Sequence, residues 1–170
     1  YHLLRNIDKL SISGRMNSIN LGQDFYVLVD YAHTPNGLAR LFEFTNKLEV
    51  NKKIVVTGNA GERDASKRKY VGKLCVDNND HVIFTYEDPR YEDPYNVVKD
   101  LCELIKDKTN YETVIDREEA INKAINMANK NDLVMILGKG CEDWQEIKGE
   151  FIEFSDIEKA KQAIMKRMNH

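Results

Sequence analysis

Cysteine is scarce in this chain: Cys75, Cys102 and Cys141 are odd in number and far apart. That argues against a disulfide framework or a metal knuckle and fits a reducing compartment, read here as the cytoplasm. Histidine is equally thin, and four scattered residues do not make a zinc site. No apolar run approaches the length of a membrane span, and no signal peptide stands at the start. Excess positive charge is also missing, because a formal charge of -3 argues against a general nucleic-acid binder. The first residue is Tyr1 rather than methionine, so the chain reads as a fragment or a processed product. Its 170 residues, 42% hydrophobic and 31% charged, suit one soluble domain with a sizeable core and a small-molecule role.

Apolar runs alternate with helical patterns. Phe25 to Val29, Ile54 to Thr57, His81 to Thr85 and Leu133 to Leu137 are short and nearly continuous, as in strands covered on both faces. Helical spacing joins Leu38, Leu41, Phe42, Thr45 and Leu48, and joins Val97, Val98, Leu101, Leu104 and Ile105 after the start signal Asp93-Pro94. Asp116 with Glu119 and Ser155 with Glu158 read as capping boxes opening two more helices. Arg15 to Ile19 and Phe25 to Asp30 read as a hairpin around residues 20–24. The pattern predicts an α/β, Rossmann-like fold: a mainly parallel sheet, helices on both faces and a short antiparallel edge element.

Polar chemistry gathers where strands end. The segment Val29-Asp30-Tyr31-Ala32-His33-Thr34-Pro35 sets a carboxylate, a phenol and an imidazole at a strand's carboxyl edge. Three further loops follow strands. Residues 58–68 carry two glycines and the cations Arg63, Lys67 and Arg68, read together as suited to an anion. The second holds Tyr86, Glu87, Asp88, Pro89, Arg90 and Tyr91, and the third runs Gly138-Lys139-Gly140-Cys141-Glu142-Asp143-Trp144. In a parallel sheet all three open on one edge, and a ligand bearing both carboxylate and ammonium would suit them. Plainer readings stand beside these. Asp30 could cap a helix or brace its loop, and His33 could be a helix-start hydrogen-bonder. Tyr86 and Tyr91 could only cover the sheet edge, Trp144 could only pack, and Cys141 reads as a small buried or semi-buried residue.

Taken in order, Gly14-Arg15-Met16, Val29 to Pro35, Gly61-Glu62-Arg63-Asp64 to Lys67-Arg68, Asp88-Pro89-Arg90 to Glu92-Asp93-Pro94, and Gly138-Lys139-Gly140 to Glu142-Asp143 resemble the carboxy-terminal domain of Mur ligases. The resemblance is nearest the UDP-N-acetylmuramoyl-tripeptide synthetase type. It implies that residues 14–170 form that domain and that 1–13 are the tail of a preceding central domain. The implied activity is an ATP-dependent amide-bond ligase of peptidoglycan synthesis, adding a diamino acid to UDP-N-acetylmuramoyl-L-Ala-D-Glu through an acyl phosphate, with magnesium supporting phosphoryl transfer.

By that resemblance Arg15, Asp30 and His33 belong to the ATP side, Arg15 near the phosphates and Asp30 near the ribose. Arg63, Glu87, Asp88, Pro89, Arg90, Gly138 and Glu142 would hold the incoming amino acid. Diaminopimelate-adding members carry Asp-Asn-Pro-Arg where this chain reads Glu87-Asp88-Pro89-Arg90. Arg90 favours meso-diaminopimelate, because a guanidinium can grip a distal carboxylate that lysine lacks. Asp88 in place of asparagine leaves lysine or ornithine open, since a carboxylate attracts a side-chain ammonium. Family members usually carry histidine at Cys141.

The family's phosphate-binding loop and its magnesium and carbamylated-lysine segments do not occur in these 170 residues. The fragment alone is therefore expected to be inactive, to hold no metal, and to close as a lid over ATP and magnesium bound mainly by the missing domains. A monomer without nucleic-acid or membrane partners is expected. Two alternatives remain: a domain of another ligase of this kind, such as cyanophycin synthetase, and a non-catalytic diamino-acid-binding module.

Overall fold

The structure, a computed structural model, describes residues 15–169. Gly14 and the expected inter-domain tail, residues 1–13, lie outside the described residues. Eight strands are present among those residues: β1 (Asn17–Ile19), β2 (Tyr26–Asp30), β3 (Lys53–Thr57), β4 (His81–Phe84), β5 (Tyr111–Thr113), β6 (Leu133–Leu137), β7 (Trp144–Ile147) and β8 (Glu150–Glu153). Interleaved with them are α1 (Pro35–Thr45), α2 (Arg68–Asn78), α3 (Pro94–Leu101), α4 (Arg117–Met127) and α5 (Asp156–Met168).

Six strands make one sheet in the order β1-β2-β6-β3-β4-β5, parallel throughout except for β1. The expected edge hairpin forms with Asn17 opposite Val29 and Ile19 opposite Val27. The near-continuous apolar runs are explained by burial on both faces. Leu133, Met135 and Leu137 of β6 face the helices α1 to α3, while Val134 and Ile136 face α4 and α5. Both layers are closed by aliphatic side chains, such as Leu38, Val71 and Leu101 on one side and Ile121, Ile125 and Ile164 on the other.

Caps fix where the helices start. The Thr34 hydroxyl accepts from the Gly37 N–H and Pro35 occupies the first turn; Asp93 and Pro94 repeat that arrangement at α3. Asp116 and Ser155 accept from the N–H groups of Glu119 and Glu158, which is the N-cap half of each expected box. Helix α3 ends at Leu101 rather than continuing to Ile105. Three features have no counterpart in the sequence reading: α2, the edge strand β5 and the β7–β8 hairpin.

Strand order also places the site. The chain leaves β2, crosses to β3 and builds outward to β5, then returns to lay β6 between β2 and β3. Connections diverge at that point, leaving a crevice beyond the carboxyl ends of the strands.

Candidate functional site: a charged cleft at the strand ends

The loops after β2, β3, β4 and β6 meet around a cleft of about 560 Å³, lined among others by Tyr31, His33, Arg63, Glu87, Asp88, Arg90, Gly138, Glu142 and Trp144. The predicted convergence of three loops is therefore present, and the Tyr31–Pro35 segment adds a fourth wall. Pro89 is buried beneath the cleft, and its carbonyl lies so near Gly61 that a Cβ there would come within 2.1 Å of it. Glycine is needed for contact between loops, not only for approach to a ligand.

Most charges in these loops are matched within the protein. Arg68 is 1% exposed and grips both oxygens of Glu92 at 2.6 and 2.7 Å, with Asp100 at 3.0 Å and the Ala60 carbonyl at 3.2 Å. Lys67 pairs with Asp64 at 3.3 Å on the surface. The reading of three cations for an anion is thus corrected: Arg68 ties the 58–64 loop to the 86–93 loop, Lys67 has its own carboxylate, and exposed Arg63 has no hydrogen-bond or ion-pair partner among the described residues.

Lys139 is fully buried, with Nζ 2.9 Å from Asp88 Oδ1, 3.0 Å from Glu142 Oε2 and 5.1 Å from the centre of the Trp144 ring. Asp88 Oδ1 also accepts from the Glu146 N–H at 3.1 Å. The expectation that Asp88 draws a substrate ammonium therefore meets a competing cation already in place.

Arg90 is held from behind. Its Nε donates to Glu146 Oε2 at 3.0 Å, its N–H donates to the Glu146 carbonyl, and its own carbonyl accepts from the Lys148 N–H at 2.8 Å. The residue sits at φ 54°, and its two terminal nitrogens have no partner among the described residues. The fork lines the cleft and is free for a bidentate contact.

Glu87 is the unusual member. It is 5% exposed, yet its Oε1 has no hydrogen-bond partner while the residue lines the cleft. Burial pushes its carboxyl up to about 7, partly offset by Arg117 and assisted by Asp88. Gly138, at φ 115°, makes room for it, because a Cβ there would come within 1.9 Å of Oε1. Beneath lies an ion pair that sequence reasoning missed: Arg117 and Asp156, both fully buried, joined at 2.8 and 2.7 Å. Arg117 also donates to the Leu137 carbonyl at 2.9 Å, pinning the end of β6. The sequence signal was adjacent, since each residue follows a recognised helix cap, Asp116 or Ser155.

A second cleft, of about 430 Å³, adjoins the first and is lined among others by Arg15, Asp30, Tyr31, His33, Arg40 and Phe44. Here the structure gathers Arg15, Asp30 and His33, the three residues expected on the nucleotide side. Asp30 accepts from the N–H groups of Met16 and Ala32, both at 2.7 Å, so it braces the entry and exit of the β1–β2 edge as the plainer reading allowed. His33 Nδ1 lies 2.9 Å from the Tyr31 carbonyl, and the two rings meet edge to face at 4.8 Å. Tyr31 and His33 line both clefts and form the wall between them. Burial, with Glu142 and Glu87 nearby, raises the Tyr31 phenol above its ordinary value. Cys141 is exposed, which corrects its expected burial.

The family model described as "Mur ligase, glutamate ligase domain" matches residues 14–140. The chain belongs to the Mur ligase family. A UDP-N-acetylmuramoyl-L-alanyl-D-glutamate–2,6-diaminopimelate ligase of Bacillus licheniformis is 42% identical over 154 residues, covering 91% of this chain and 31% of that protein. A UDP-N-acetylmuramyl-tripeptide synthetase of Borreliella burgdorferi is 40% identical over 166 residues, covering 94% of this chain and 33% of that protein. A solved diaminopimelate ligase superposes with a TM-score of 0.87 at 33% identity, covering 99% of this chain and 34% of that one. This Mur ligase domain thus spans about a third of the length of the relatives it matches. Two Mur-ligase blocks, Asp30 to Pro35 and Gly138 to Asp143, furnish the wall between the clefts and the floor of the larger one.

Proposed function

We propose that this chain is the amino-acid-holding, ATP-site-closing domain of an ATP-dependent ligase of peptidoglycan synthesis, acting in the cytoplasm on UDP-N-acetylmuramoyl-L-Ala-D-Glu. The incoming amino acid is a diamino acid, with meso-diaminopimelate favoured over L-lysine. One observation carries this reading: the cleft is lined by Arg63, which has no protein partner among the described residues, by Arg90, whose two terminal nitrogens are unpaired while Glu146 holds Nε, and by Glu87, whose buried Oε1 has no hydrogen-bond partner. Two carboxylates and an ammonium complement that set. Glu142 keeps Oε1 free for an amine, while Gly138 offers its backbone at the cleft. The Bacillus relative, a ligase named for 2,6-diaminopimelate, supports the same substrate class.

In this reading Arg15, Asp30 and His33 border the nucleotide. The Tyr31–His33 wall keeps the amino acid next to the activated carboxylate, and lid closure excludes water from both. By the family resemblance, magnesium is assigned to the remainder of the full-length enzyme. The fragment alone does not catalyse. Full-length enzyme supplied with ATP, the UDP-linked dipeptide and each of meso-diaminopimelate, L-lysine and L-ornithine tests the reading. Amide formation is expected to be fastest with meso-diaminopimelate, and transfer of none of the three would refute it.

A further inference from the structure

We infer that Lys139 sets which amino acid the cleft accepts, by neutralising the two carboxylates, Asp88 and Glu142, that would otherwise hold a side-chain ammonium. The inference rests on the amino-acid-binding reading of the cleft and names the residue that decides its charge. Lys139 is fully buried, and its three N–H directions are accounted for by Asp88 at 2.9 Å, Glu142 at 3.0 Å and the face of Trp144. It therefore acts through its neighbours, as a positioning residue. Asp88 is held in turn by the Glu146 N–H, and Glu146 grips Arg90 through Nε, so the lysine stands in one network with the free guanidinium.

The loop is built for this placement. Glycines at φ 115° and 58° flank Lys139, turning the chain so that the side chain runs beneath the cleft instead of out to solvent. With the lysine in place, the cationic groups left for a ligand are Arg63 and the two terminal nitrogens of Arg90. Without it, Asp88 and Glu142 lose their cationic partner in the cleft that Arg90 also lines. They would repel a distal carboxylate and attract a lysine-type ammonium. A buried lysine whose only effect was stability would not distinguish these substrates.

The test uses full-length enzyme and reads the ratio of kcat/KM for meso-diaminopimelate over L-lysine. Lys139→Met, which keeps the apolar stem and removes the charge, should lower that ratio by about tenfold or more. Asp88→Asn, which leaves the cation in surplus, should raise it by about threefold or more. The double variant Lys139→Met/Asp88→Asn, with one carboxylate and the cation removed together, should recover most of the ratio lost in Lys139→Met. Equal losses for both substrates in Lys139→Met, or no recovery in the double variant, would overturn the inference. If Lys139→Met does not fold, an unchanged ratio in Asp88→Asn overturns it alone. Wild-type enzyme that uses none of meso-diaminopimelate, L-lysine and L-ornithine refutes the amino-acid-binding reading itself, a result separate from any change in ratio.

Discussion

At the scale of single residues, the chemistry of the cleft comes from which charged groups are left unmatched. Sequence pattern points to the right loops but cannot say that Arg68 and Asp88 are committed while Arg63 is free, because the ion-pair partners of Arg68 and Asp88 lie 24 to 51 positions away. Glu87 makes the point most sharply: nothing local to it foretells an orphaned buried oxygen. Its carboxyl is raised to about 7 from 4.5, so the folded state binds a proton more tightly than the unfolded chain. Its contribution to stability is therefore most favourable below pH 4.5 and is lost as pH climbs to about 7. Urea unfolding of this chain at pH 5 and pH 8 should show Glu87→Gln flattening that decline, by at most roughly 3 kcal/mol. A decline as steep in the variant as in the wild type would mean that Glu87 is ordinarily ionised in the folded protein.

Among the elements, the legible ones were those with uninterrupted burial. β2, β3, β4 and β6 are sandwiched between two helix layers and announce themselves as apolar runs, and α1, α3, α4 and α5 open on side-chain caps. What escaped had weak local signals. Helix α2 begins without a side-chain cap, and β5 is a three-residue edge strand with no buried residue. Exposed β8 pairs with β7 across Lys148 and Gly149, both at positive φ, where a lysine takes the place of the usual asparagine or aspartate. This hairpin matters because Arg90 bridges to Ile147 and is bonded on both sides of it. Gly149 sits at φ 80°, and a Cβ there would come within 2.3 Å of the Tyr91 hydroxyl. Gly149→Val in full-length enzyme should therefore raise KM for the amino acid by about tenfold, beyond the destabilisation that a β-branched residue at positive φ brings, since displacing a substrate-positioning group by a fraction of an ångström is costly. An unchanged KM would separate the hairpin from the function of Arg90.

For the whole molecule, the doubly wound topology explains why residues from Tyr31 to Trp144 can share one cleft, and why a mainly parallel Rossmann-like sheet was foreseeable from alternating strands and helices. Among the described residues no helix is long and apolar enough to cross a membrane. The chain covers only about a third of its relatives, and in the proposed function the groups that bind the triphosphate and the acceptor sugar lie in the rest of the enzyme. The isolated chain should accordingly release no phosphate from ATP in response to a diamino acid, and turnover near that of the full-length enzyme would contradict this division of labour.

In the proposed function, Arg90 and its supporting network recognise the distal carboxylate of the incoming amino acid. This is tested by comparing kcat/KM of full-length wild type and Arg90→Ala for meso-diaminopimelate and for L-lysine. Loss of a charge-assisted bidentate contact predicts a drop of about 100-fold for meso-diaminopimelate and a far smaller one for L-lysine. Wild type that prefers lysine, together with an Arg90→Ala variant that is unaffected, would contradict the account.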